Sequence, residues 1–249
     1  MIKTMIYAHR GASKLAPENT MPAYQIASES GADGLEIDVQ LTKDSIPVLI
    51  HDENVRRTTN GTGFVQDYTY DEIKQLDAGS WFSSKFSDCS IITLDYFLRW
   101  FKDLPLLLNV ELKTNVIEYK RIERIVYDSL KHYQLLDRTV ISSFNITSIK
   151  KMKIINPSVS TAFLTSTKRR HLPGYAHSHG ASSLHIKYRM LDKKIVKQCH
   201  KNHMPLRIYT VNRPSWMEKC FKMGCDAIFT DVPHEAVEYR ELYKKKQEK

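Results

Sequence analysis

Short apolar, β-rich runs recur along the chain at residues 5–9, 35–41, 106–112, 139–143, 161–164, 183–186, 206–211 and 227–230. Between them the apolar positions change from alternation to helical spacing. Residues 17–30 open with Pro17 and stop before Gly31. Residues 115–133 place Ile117, Ile122, Ile125, Val126 and Leu130 on one face, and residues 214–223 open with Pro214 and end before Gly224. Strand and helix patterns in strict alternation predict βα units around a parallel sheet. Eight strands in this order predict the α/β class and a (β/α)8 barrel. An open doubly wound sheet usually has fewer strands and a glycine-rich first turn, which "HRGASKLAPENT" is not.

One run breaks the alternation. "PVLIHD" follows the second strand after only "TKDSIP", with no helix between, so residues 35–41 and 47–51 are expected to form an antiparallel hairpin turning at Asp44 and Ser45. A two-residue turn there gives partner numbers that sum to 89 and sets His51 opposite Asp38. The stretch at about 52–92, rich in Thr, Gly, Asp and Ser, then becomes an insertion after the second barrel strand, within a single domain spanning 1–249.

Composition narrows the class without choosing a function. The chain has 249 residues, 42% hydrophobic and 26% charged, which suits one large globular domain. No apolar run approaches the roughly 18 residues that a membrane span needs, and the N-terminus lacks a signal-peptide core, so stable membrane insertion is not expected and a cytoplasmic location is. The four cysteines form no C-x-x-C pairs and read as free thiols. A net charge of +9 favours anionic partners, but much of it lies in "TSTKRRH" and the tail "YKKKQEK", and no nucleic-acid-binding motif accompanies it. A small-molecule partner is expected rather than nucleic acid, and oligomeric state is left open.

Chemistry gathers at the ends of the first strands. In "LEIDVQ", Glu36 and Asp38 are two apart and share one strand face, with Leu35, Ile37 and Val39 on the other. Two carboxylates aimed into a barrel repel each other unless a cation intervenes. Glu111, from "NVELK" on the next strand, supplies a third, and three acidic oxygen donors suit a hard dication, Mg²⁺ or Ca²⁺. Lys113 shares the face of Glu111. His9 and His51 fall where the barrel reading puts the C-terminal rim, and two imidazoles there could divide acid and base duties. Arg10 offers a planar fork for phosphate oxygens, and Gly11 lets the backbone pass close to a ligand.

The run "HRGASKLAPENTMPAYQIASESGADGLEIDVQLTKDSIPVLIHD" resembles the N-terminal signature of the glycerophosphodiester phosphodiesterase family, and the likeness continues through "DAGSWF", "TLDYFL", "NVELK", "ISSF", "YTVN" and "DAIFTDVP", covering most of residues 4–233. The resemblance implies a (β/α)8 barrel that splits glycerophosphodiesters into an alcohol and sn-glycerol 3-phosphate with a divalent metal. It implies His9 and His51 as the acid/base pair, Glu36, Asp38 and Glu111 as metal ligands, and Arg10 and Lys113 on phosphate. Glu18, with Asn19, would hold the His9 loop. Two departures stand out: "IITLDY" replaces the usual Ile-Pro-Thr-Leu-Glu-Glu, and Tyr209 replaces the usual tryptophan beside the glycerol. The family leaves two rivals: phospholipase D-like action on lysophospholipids, with Trp81, Phe82 and Phe86 lining an acyl path, and a non-catalytic phosphate- or lipid-binding barrel.

Overall fold

The computed structural model describes residues 4–247. The strands are β1 (Met5–His9), β2 (Gly34–Leu41), β3 (Pro47–Leu49), β4 (Leu107–Leu112), β5 (Thr139–Ser143), β6 (Thr161–Thr165), β7 (Ser183–Lys187), β8 (Leu206–Tyr209) and β9 (Ala227–Thr230). The α-helices are α1 (Met21–Glu29), α2 (Tyr70–Ile73), α3 (Leu94–Phe101), α4 (Ile122–His132), α5 (Ile146–Ile155), α6 (Leu172–Ser178), α7 (Lys193–Lys201), α8 (Pro214–Lys222) and α9 (Pro233–Gln247). All strands except β3 join in a closed parallel ring in the order β1-β9-β8-β7-β6-β5-β4-β2, with β1 returning to β2. This is the expected (β/α)8 barrel.

Each strand carries an apolar outer face against the helices. Leu35, Ile37 and Val39 of β2 join Phe97, Leu98 and Phe101 of α3 and Val126 and Leu130 of α4 in one buried cluster. The alternate positions point inward, and there the barrel is polar: Glu36, Asp38, Asn109, Glu111, Ser142 and His185 are all buried. Such groups are tolerated only when paired or serving a ligand, so the barrel interior already marks the site.

The hairpin forms in a register shifted by one. Val39, Gln40 and Leu41 pair with Leu49, Val48 and Pro47, so the sums are 88 rather than 89 and His51 does not lie opposite Asp38. The cause is the turn. Thr42 and Ile46 close a three-residue loop in which Ser45 adopts φ +63°, stabilised by Ser45 N–H donating to Thr42 O at 2.9 Å. β3 also ends at Leu49, two residues earlier than expected. It pairs with the upper half of β2 on the side where β1, paired only with Gly34–Glu36, has stopped. The chain thus runs back along β2 toward the end of β1.

Two helix boundaries differ from the sequence expectation. The first helix starts at Met21 with Thr20 at its N-cap and Pro22 in its first turn, while Pro17 sits in a preceding turn whose carbonyl accepts from Thr20 Oγ1 at 2.6 Å. The fourth starts at Ile122 because Arg121 adopts φ +65°. Gly11 has a different reason from the one expected. At φ +83°, a Cβ there would lie 2.6 Å from the backbone of Ala23, so its bareness admits α1 rather than a ligand. The insertion has a small core of its own around Val48, Ile50, Val55, Val65 and Ile73.

Candidate active site

At the C-terminal rim a cavity of about 270 Å³ is walled by His9, Arg10, Glu36, His51, Asn109, Glu111 and an aromatic group comprising Phe144, Tyr188, Tyr209 and Phe229. β1 delivers His9 and β2 delivers Glu36 at the same level of the barrel, where the two are partners across the ladder. Asp38 and Glu111 are likewise partners across β2 and β4. Carboxylate oxygens of Glu36, Asp38 and Glu111 lie within 4.8 Å of one another.

This acidic cluster is deeply desolvated, and its balance explains most of its neighbours. Burial, with the adjacent Asp38 and Glu111, pushes the Glu36 carboxyl well above the usual carboxylate range. Burial raises Asp38 too, but Arg10, His51, Lys113 and a bond from Asn19 outweigh it and hold Asp38 well below that range. Arg10 Nε lies 3.1 Å from Asp38 Oδ2, while the Arg10 main-chain N–H donates to Glu36 Oε2 at 2.8 Å. Lys113 donates to Glu111 Oε1 at 2.7 Å and lies 3.7 Å from Asp38 Oδ1. Its ammonium is buried against these carboxylates.

Asn19 bonds Asp38 at both ends: Nδ2 donates to Oδ2 at 3.0 Å and Oδ1 accepts the Asp38 N–H at 3.3 Å, while Tyr24 OH fixes the amide from behind at 2.7 Å. Glu18 accepts from Arg10 Nη1 at 2.8 Å and from both Arg57 Nη atoms at 2.8 Å. Although burial raises Glu18, the bonds from Arg57 and Arg10 bring its carboxyl below the ordinary value. Thus Glu18 and Asn19 both anchor the turn after β1, Asn19 through a metal-candidate carboxylate.

Each histidine has its own aspartate. His9 Nδ1 lies 2.7 Å from Asp231 Oδ1, and His51 Nδ1 lies 2.5 Å from Asp52 Oδ1. An ionised carboxylate can only accept, so in both rings Nδ1 holds the proton and Nε2 is left for the cavity. Asp231 also accepts from Asn212 Nδ2 at 2.6 Å, and Asp52 from Arg57 Nε at 2.6 Å. Burial opposes ionisation of Asp231 and Asp52, but these partners hold both near about 2.

Asp231 and Asn212 escaped the sequence reasoning because 222 residues separate Asp231 from His9, and only closure of β9 onto β1 makes them neighbours. Asp52 and Arg57 were nearer to hand: the carboxylate directly follows His51. The aromatics Trp81, Phe82 and Phe86 pack edge-to-face within the insertion and do not line the cavity, so they do not form the acyl path that the lysophospholipid reading assigned to them. Tyr209 does line it, edge-on to Phe144 with ring centroids 5.9 Å apart.

Residues 9–235 match the model of the glycerophosphoryl diester phosphodiesterase family. The chain belongs to that family. Among its relatives, a glycerophosphodiester phosphodiesterase of Caldanaerobacter subterraneus subsp. tengcongensis is 43% identical, over 93% of this chain and 96% of that protein. Another of Bacillus altitudinis is 38% identical, over 97% and 100% respectively. A phosphodiesterase structure from Oleispira antarctica, in complex with the product sn-glycerol-3-phosphate, superposes with a TM-score of 0.89 at 29% identity, covering 95% of this chain and 96% of that one. The glycerophosphoryl diester phosphodiesterase signature therefore spans the barrel from His9 at the end of β1 past Asp231 at the end of β9. Among the described residues, no helix is long and apolar enough to cross a membrane.

Proposed function

We propose that this family member hydrolyses glycerophosphodiesters to an alcohol and sn-glycerol 3-phosphate, with Glu36, Asp38 and Glu111 holding a dication and His9 and His51 moving the protons. One observation carries this reading: three buried carboxylates converge within 4.8 Å beside two imidazoles, each backed by an aspartate. The residues fit a hard dication. Asp38 Oδ1 is buried without a hydrogen-bond partner, and the three carboxylates crowd one another closely enough to help push Glu36 up. A dication held by these three carboxylates would relieve that repulsion. When bound, Mg²⁺ or Ca²⁺ would neutralise the phosphate and polarise its P–O bonds.

The chain's own residues supply the rest. Arg10, on the cavity wall, is held by Glu18 and Asp38 with its fork oriented before substrate arrives, which stabilises charge building on phosphate without reorganisation. One imidazole, neutral with Nε2 bare, takes the proton of the nucleophile, and the other, entering as the imidazolium, gives its Nε2 proton to the departing alkoxide. Asp231 and Asp52 hold the Nδ1–H of each ring, so that Nε2 is the atom that takes or gives the proton. Tyr209 and Phe144 offer an apolar flank to the glycerol carbons. The test is release of glycerol 3-phosphate from glycerophosphocholine, lost on chelation and restored by Mg²⁺ or Ca²⁺. Turnover indifferent to chelator would exclude the metal role.

A further inference from the structure

A second cluster of cations lies outside the site just described. Between the loop after β6 and the loop after β7 is a cleft of about 560 Å³, twice the size of the catalytic cavity. Its floor is apolar, made by Leu172, Met190 and Ile195, each less than 10% exposed. Its walls carry Lys168, Arg169, Arg170, His171 and Lys194 against one carboxylate, Asp192. That carboxylate compensates little: Lys168 Nζ lies 3.6 Å from Asp192 Oδ2 with both side chains largely in water. Arg169 is laid over the Tyr175 ring at 3.7 Å. Arg170 and Lys194 have no carboxylate within 4.0 Å among the described residues.

One short turn joins this cleft to the catalytic cavity. The turn Tyr188–Met190 places Tyr188 on the cavity and Met190 in the cleft, and Tyr188 is braced edge-on by Trp216 with ring centroids 4.8 Å apart. Across that turn from the cavity, the cleft offers a cationic recess toward which the alcohol half of a bound substrate could extend. We propose that the cleft is a second anion subsite, selecting glycerophosphodiesters whose alcohol bears a phosphate group of its own. The proposal rests on the hydrolase reading above and deepens it. Lysine and arginine supply charge-assisted bonds to phosphate oxygens, and the apolar floor takes the carbon frame of the alcohol. Uncompensated charge beside a low-dielectric wall also raises the local concentration of such an anion.

The test compares a matched pair, glycerophosphoinositol and glycerophosphoinositol 4-phosphate, in the wild type and in a variant combining Lys168→Ala, Arg170→Ala and Lys194→Ala. These side chains are exposed, so the barrel is not at risk. The wild type is expected to favour the phosphorylated substrate in kcat/KM by about tenfold at low salt, an advantage that shrinks as salt rises. The variant loses the preference while keeping its rate on the unphosphorylated substrate. An equal ratio in the two proteins overturns the proposal while leaving the hydrolase reading intact, and absence of turnover on both substrates overturns both. If the variant instead loses only sedimentation with phosphatidylglycerol vesicles, with the ratio unchanged, the cleft is a bilayer-docking surface and the subsite is refuted.

Discussion

Gln40 donates its side-chain amide to the main-chain carbonyl of His51 at 2.9 Å. The same Nε2 reaches Ile50 O at 3.2 Å, and Gln40 Oε1 accepts from Tyr119 OH at 2.7 Å. The bonds to Ile50 and Tyr119 are buried, and the one to His51 is partly so. The backbone leaving β3 has no strand partner beyond Leu49 apart from Ile50 N–H, which donates to Asp38 O at 3.1 Å. Gln40 therefore sets where His51 stands relative to His9.

Gln40→Leu is expected to lower kcat by about ten- to a hundredfold with KM within about threefold, because it leaves two carbonyls and a phenol unsatisfied and lets the imidazole drift. Tyr119→Phe removes one bond and should cost about 1 kcal/mol in stability with a much smaller loss of rate. Steady-state kinetics paired with denaturant melts separates the two. Equal kcat in Gln40→Leu and wild type would show that His51 needs no such support.

His9→Ala and His51→Ala should each reduce turnover by about 10² to 10⁴ without altering the melting transition. Asp231→Asn and Asp52→Asn should fall in the same direction by disturbing the tautomer. A histidine variant retaining half of wild-type activity would remove that residue from the proton-transfer pair.

Glu36 gives a prediction of opposite signs. Its carboxyl is raised in the folded protein, so without metal its ionisation at neutral pH disfavours folding, and Glu36→Gln should raise the melting temperature of the metal-free protein. The same variant should lose the stabilisation that Mg²⁺ or Ca²⁺ confers on wild type, about 2.7 kcal/mol at a hundredfold excess over Kd. Calorimetry with and without chelator reads both effects. An unchanged metal-induced shift would count against Glu36 as a ligand.

Acid should weaken the fold through Asp231. Its pKa is lowered from 3.8 to about 2 in the folded state, so its stabilisation is complete above about pH 4 and is lost as pH falls toward 2. The contribution is about 2 kcal/mol. Asp52 acts in the same direction and window. In urea melts between pH 5 and 2.5, Asp231→Asn should therefore show a shallower decline than wild type.

Gly11→Ala should destabilise the protein by more than 1 kcal/mol, since φ +83° disfavours any side chain and Cβ would collide with Ala23. Addition of substrate should not reverse the loss. Stability equal to wild type would mean that α1 can retreat from β1.

Much of the barrel could be read from the chain itself because its information is local. Alternation placed Leu35, Ile37 and Val39 on one face and Glu36 and Asp38 on the other, and each strand end carried its own polar residues. Those periodicities are set by backbone geometry and need no tertiary input. Tertiary structure decided what depended on closure and on turns. Ser45 in a left-handed conformation moved the hairpin by one residue, and the early end of β3 left Gln40 to hold His51. Pairing β9 with β1 gave His9 its aspartate from the far end of the chain, and burial set the Lys113 ammonium against Glu111. Spacing along a strand fixes direction, whereas the identity of a side chain's partner depends on which segments fold against it, and desolvation then decides how strongly they interact.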